Sequence, residues 1–99
     1  MEADLLAAKK MLDKGYTLVI CYKGMIFTSN KEKSVALKEF IDSKLDLSMF
    51  SIAFNSVEFS DTEALLKLGI KKVITYKLSN EAKDIFDSNN FIYNYYELV

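Results

Sequence analysis

Apolar residues along this chain recur with two periods, and the points where the period changes mark out the predicted elements. From Asp4 to Lys14, Leu5, Ala8 and Leu12 share one helical face, and Gly15 follows as a stop. Thr17 to Tyr22 is an almost unbroken apolar run, as expected of a strand covered on both faces. Lys23-Gly24 makes a tight turn, and Met25 to Thr28 returns as a second strand, antiparallel to the first. Ser34 to Lys44 is predicted as a helix, with Leu37, Phe40, Ile41 and Leu45 at helical spacing and the charges opposite. Phe50 to Phe54 reads as a short central strand. Ser60-Asp61-Thr62-Glu63 has the pattern of a capping box, in which Ser60 and Glu63 satisfy free amides at a helix start. The helix carries Ala64, Leu65 and Leu68 and stops at Gly69. Lys72 to Leu78 forms the next strand. Ser79 caps a helix with Ala82, Ile85 and Phe86 inward, Asn89-Asn90 closes it, and Phe91 to Leu98 is a last, aromatic strand.

The order is therefore α-β-β-α-β-α-β-α-β. Strand–helix–strand units require parallel neighbours joined by right-handed crossovers, whereas the opening hairpin adds an antiparallel strand. The expectation is an α/β fold: one domain over residues 1–99, a three-layer α-β-α sandwich around a mixed five-stranded sheet.

Composition narrows what such a domain does. With 51% hydrophobic and 27% charged residues the chain resembles ordinary globular proteins, and its length leaves room for one core. Its net charge is −1, and its lysines alternate with acids, as in Lys31-Glu32-Lys33 and Lys38-Glu39. That interleaving reads as a solvated face rather than a phosphate-binding patch, so no nucleic-acid partner is expected. The single cysteine, Cys21, excludes an internal disulfide, and with no histidine in the chain it has no partner for Cys–His nucleophilic chemistry. The opening Met1-Glu2-Ala3-Asp4 lacks the basic-then-apolar layout of a signal peptide, and no apolar run is long enough for a membrane span. The expected location is the cytoplasm.

The passage Ala64 to Tyr76, a helix, a glycine stop and a buried strand, adds a resemblance. Gly69-Ile70-Lys71-Lys72-Val73-Ile74-Thr75-Tyr76 is similar to the Gly-Ile-Lys-x-Val-x-x-Tyr run of nucleoside and base deaminases, which follows their Pro-Cys-x-x-Cys metal motif. Tyr16 to Ile20 through Ile26 to Ser29, Asp46-Leu47-Ser48, and Glu81-Ala82 through Tyr96 to Val99 resemble a small bacterial family, domain of unknown function 1893 (DUF1893). The resemblance implies a cytidine deaminase-like fold over nearly the whole chain. It also implies where zinc chemistry would sit: the two cysteine positions fall near Glu58 and Asp61, and the His-x-Glu positions near Lys31 and Lys33. A lysine ammonium has no lone pair for a metal, and two carboxylates make a poor tetrahedral zinc site. No metal, no cofactor and no catalytic residue is therefore expected, and zinc-dependent deamination is argued away.

Three readings of function remain, of which an enzyme with other chemistry around Glu58 and Asp61 is the least favoured and two are carried forward. In the first, a non-catalytic, zinc-less domain binds a small, nucleotide-like ligand in the degenerate crevice, where helix starts present free amides. Its candidate residues are Asn30, Lys31, Lys33, Asn55, Glu58 and Asp61; equally, the acids there cap a helix dipole and the lysines are solvated. In the second, the chain is an interaction or oligomerisation module. On the last strand Phe91, Tyr93 and Tyr95 face one way and Ile92, Asn94 and Tyr96 the other, and at a sheet edge that strand pairs with a partner or a second copy.

Overall fold

The expected elements follow in the expected order in the computed structural model, which describes residues 2–99; Met1, part of the acidic opening, lies outside the described residues. They are α1 (Ala3–Leu12), β1 (Leu18–Tyr22), β2 (Met25–Ser29), α2 (Lys33–Asp42), β3 (Ser51–Val57), α3 (Phe59–Leu68), β4 (Lys72–Leu78), α4 (Asn80–Ser88) and β5 (Ile92–Leu98). The sheet order is β2-β1-β3-β4-β5. β1 pairs antiparallel with β2 and with β3, while β3–β4 and β4–β5 are parallel. Both parallel crossovers pass over the same face, so α3 and α4 lie beside α2 and leave α1 to cover the other. The layers are thus unequal. Leu5, Ala8 and Leu12 of α1 bury Val19, Cys21, Ala53 and Ile74. The opposite core is larger and includes Ile20, Leu37, Ile52, Phe54, Leu65, Val73 and Phe86.

Several boundaries differ from the sequence expectation for local reasons. β3 starts at Ser51 rather than Phe50 and continues to Val57, because β4 supplies a parallel partner along that length. α2 stops at Asp42, before Leu45; Lys44 takes a left-handed φ of 56° and turns the chain out. The capping box expected of Ser60 and Glu63 is not what starts α3. The helix begins at Phe59, and Asp61 accepts the Glu58 N–H at 2.8 Å. The stop at Gly69 is as expected: φ is 78°, the Ile70 N–H reaches back to the Leu65 carbonyl at 3.0 Å, and a Cβ there would meet Ser48 Cβ at 3.3 Å. Ser79 caps α4 by accepting the Ala82 N–H at 3.1 Å, and Asn90 takes a left-handed φ of 60° after α4.

The hairpin is tied to the other layer through one carboxylate. Lys23 and Gly24 both have positive φ, 48° and 81°, as a two-residue type I′ turn requires. Asp4, in the first turn of α1, accepts the Lys23 N–H at 2.9 Å and the Gly24 N–H at 3.4 Å, and the Cys21 thiol reaches it at 3.6 Å. These donors, the Lys23 amide foremost, hold the Asp4 carboxyl below its ordinary value. The Tyr76 hydroxyl and Lys9 do the same for Asp13, and the Tyr93 hydroxyl and Lys83 for Asp87. A carboxyl with a depressed folded-state pKa stabilises the fold above its unfolded value, about 3.9, and that contribution is lost as pH falls through the folded value. Urea midpoints should therefore be level at neutral pH and drop below about pH 4. Asp4→Asn should start lower at neutral pH and show a shallower acid limb; an acid limb identical to the parent's would remove Asp4 from this account.

Candidate functional site

The sequence-predicted crevice lies where the Ser56–Val57 end of β3 meets the starts of α2 and α3. Its two central residues meet each other. Lys33 Nζ sits 2.6 Å from Asp61 Oδ2, donates to the Ser56 carbonyl at 2.8 Å and lies 5.8 Å above the Phe54 ring. Their side chains are only 22% and 9% exposed, so each ion is largely satisfied by the other rather than by water. The Asp61 carboxylate also faces the α3 N-terminus, which favours negative charge.

The remaining candidates do not converge there. Lys31 turns away to the Glu39 carboxylate at 2.7 Å. Asn30 is exposed at the tip of the β2–α2 connection, which is anchored below it by Thr17 donating to the Ser29 carbonyl at 2.9 Å. Asn55 is exposed on β3 and shares the alternation of Ala53, which packs under α1, so it lies on the far face from Phe54. Glu58 is exposed at the α3 start. Zinc does not fit this set: an ammonium occupies the centre of the crevice, and its carboxylate partner is already neutralised. Among the described residues no three His, Cys, Asp or Glu side chains are grouped to hold a metal ion, and no helix is long and apolar enough to cross a membrane. Cys21 is buried in the α1-side core, and burial pushes its thiol pKa up, away from nucleophilic reactivity.

Beside the Lys33–Asp61 pair, between α2 and α3, an open cavity of about 400 Å³ is lined by Ser34, Leu37, Ile41, Ser60, Asp61 and Ala64, with Lys38, Asp42 and Lys67 around it. Further open space, more apolar, lies at the sheet edge. β2 is an edge strand, and Met25 and Phe27 on it are 53% and 54% exposed. Between β2 and α2 runs an apolar groove with two cavities. One, of about 340 Å³, is lined by Ile20, Phe27, Phe40, Leu45, Leu47 and Phe50, with Asp46 at its rim. The other, of about 310 Å³, is lined by Leu18, Phe27, Ala36 and Phe40, with Thr28, Ser29, Lys31 and Glu39 around the mouth. Phe27 and Phe40 belong to both, and Phe27 is held by Phe50, whose ring lies 6.3 Å away and packs in turn on Tyr22 at 5.5 Å. Because the turn closes on the Tyr22–Met25 pair, ladder alternation directs the backbone groups of Met25, Phe27 and Ser29 at β1 and those of Ile26 and Thr28 at the open edge. Sequence reasoning missed this surface. Its trace is in Met25-Ile26-Phe27, which is apolar on both faces of a strand that has only one neighbour.

No family model matches the chain, and no curated protein matches it. Among solved structures, a DUF1893 family protein from Thermotoga maritima has the same fold, with a TM-score of 0.84 over 100% of this chain and 69% of that one, at 20% sequence identity.

Proposed function

We propose that this chain is a non-catalytic domain of the DUF1893 kind, of cytidine deaminase-like descent, that binds an extended segment of another protein at its β2 edge. The observation that carries the proposal is the open Met25–Ser29 strand lying directly beside an apolar groove with two cavities. Strand addition uses such an arrangement: the guest's main chain pairs with the edge, and alternate side chains drop into the pockets. Here Ile26 and Thr28 present the unpaired amides and carbonyls, while the cavities on either side of Phe27 accept two apolar side chains. The family assignment draws on the shared fold and on the motifs quoted above, and a cytoplasmic location agrees with one unpaired, buried cysteine.

The crevice reading, a nucleotide-like ligand held by Asn30, Lys31, Lys33, Asn55, Glu58 and Asp61, has less behind it. Lys33 and Asp61 satisfy each other, Lys31 is paired with Glu39, and Asn55 faces elsewhere.

The test is selection from a displayed library of random short peptides, followed by fluorescence polarisation on synthetic copies. Binders should carry two apolar residues spaced two apart. Their affinity should fall at least about tenfold, roughly 1.4 kcal/mol, in Ile26→Pro, which removes an outward N–H that an edge strand spares. Phe27→Asp should lose binding similarly. A library that yields no binders, or binders indifferent to both substitutions, overturns the proposal.

A further inference from the structure

α1 is seated differently from the rest of the molecule. It covers one face of the sheet and fully buries Leu5, Ala8 and Leu12, against Val19, Cys21, Ala53 and Ile74. Among the described residues no backbone hydrogen bond joins α1 to the sheet. The Lys14 and Gly15 N–H groups turn back to the Met11 and Leu12 carbonyls at 3.0 and 2.9 Å, and the Thr17 N–H is the first to reach a strand, at the Ser29 carbonyl. Side chains fix the helix instead. Asp4 holds the Lys23–Gly24 turn, Glu2 meets the Lys72 ammonium at 3.3 Å, Asp13 takes the Tyr76 hydroxyl, and Lys9 lies over the Tyr76 and Tyr96 rings at 5.7 and 5.5 Å. These contacts are largely exposed, and exposed pairs contribute little each. Beneath the first turn lies a misfit. Ser51 shares the alternation of Ala53 and so faces α1; its neighbours across the ladder, Cys21 and Lys72, are the residues that reach Asp4 and Glu2. Ser51 is fully buried, and among the described residues its Oγ has no hydrogen-bond partner. A buried hydroxyl in that state costs stability that returns when water reaches it.

We infer that α1 is a strap that lifts from the sheet as a unit, turning at Gly15, while the sheet and the opposite core stay folded. The backbone places the hinge: Gly15 has a φ of 107°, and a Cβ there would meet nothing within 4 Å, so the link changes course without obstruction. Lifting breaks no strand pairing, because β1 keeps β2 and β3 as neighbours and β4 keeps β3 and β5. The larger core around Phe54 and Phe86 is not touched. Opening gives water to Ser51 and uncovers the apolar face formed by Val19, Cys21, Ala53 and Ile74. Locally opening units are the low-stability parts of a fold, and here few buried apolar contacts and one unsatisfied hydroxyl fall in the same layer. α1 thereby controls access to the face of the sheet opposite α2.

Cys21, the one cysteine of the chain, reports the opening because its side chain lies under α1. N-ethylmaleimide should label it in native buffer faster than global unfolding allows, with a urea dependence that is shallow at first and steep only near the unfolding transition. The α1 amides should exchange hydrogen at the same opening equilibrium, ahead of those of β3 and β4. Ser51→Ala, which removes the orphan hydroxyl, should slow labelling at least about tenfold, and Asp4→Asn should speed it. Phe86→Leu weakens the opposite core, so it should lower the urea midpoint yet leave the labelling rate within about twofold of the parent's. Labelling that follows the full unfolding slope from the lowest urea concentrations overturns the inference. So does a Phe86→Leu variant whose labelling speeds up by the factor that its global unfolding does, or a Ser51→Ala variant that labels as fast as the parent.

Discussion

Phe86→Ala should destabilise the domain by about 4 kcal/mol, within the range for large-to-small changes at buried aromatics. The ring is fully buried, stacked on Phe91 at 4.4 Å and tilted against Tyr93 at 5.3 Å. The turn that leads from α4 into β5 is also built around this residue, since the Phe91 N–H donates to the Phe86 carbonyl at 3.0 Å. Truncation would thus lose transfer energy, leave a cavity with rigid aromatic walls and loosen the seat of an edge strand. A domain of this size has only about 5–15 kcal/mol in total, and each kcal/mol shifts Tm by roughly 4–8 °C, so a fall of about 15–30 °C is expected. Phe86→Leu, which keeps most of the volume, should recover more than half of that. A Tm for Phe86→Ala within a few degrees of the parent would mean that α4 is not packed as described.

Asp61→Ala is the second large effect, expected at about 3 kcal/mol, and its cause is electrostatic. It leaves the Lys33 ammonium beside Phe54 with only the Ser56 carbonyl, and it removes the acceptor for the Glu58 N–H at the α3 start. Breaking a buried pair from one side costs about 3–5 kcal/mol, and a lost helix cap adds about 1. The 22% exposure of Lys33 gives its chain an escape toward water, which places the sum at the low end. The reverse substitution should be milder. In Lys33→Met the carboxylate keeps the Glu58 amide and the helix dipole, and the methionine still covers Phe54, so about 1–2 kcal/mol is expected. Urea unfolding of both single variants and the double variant gives the coupling energy directly. Equal losses for Asp61→Ala and Lys33→Met would contradict the assigned roles, because only the aspartate both pairs and caps.

Most of the fold was legible because its cues are local. The switch between helical and strand periods, the type I′ turn at Lys23-Gly24, the Ser79 cap and the left-handed stop at Gly69 each act within a few residues. The mixed sheet follows from them by connection rules alone. The cap of α3 was misread by a short slip for a related reason: Ser60 and Asp61 are both good capping residues, and only packing selects the one that faces the Glu58 amide. The crevice was legible as a place but not as a state. Lys31 and Lys33 look equivalent in sequence, yet one turn of backbone sends Lys33 inward to Asp61 and Lys31 outward to Glu39. The β2–α2 groove escaped notice because it depends on which strands end up at the edges. It also depends on Leu45, Leu47 and Phe50 returning from beyond α2 to line a wall with Phe27.

The strand order also sets reach. β2 and β5 stand at opposite ends of the sheet, four strand spacings or about 19 Å apart at about 4.8 Å per strand. A guest segment seated at β2 makes a sixth strand and moves the open edge outward by one spacing, so a second segment of the same partner can add only beyond the first.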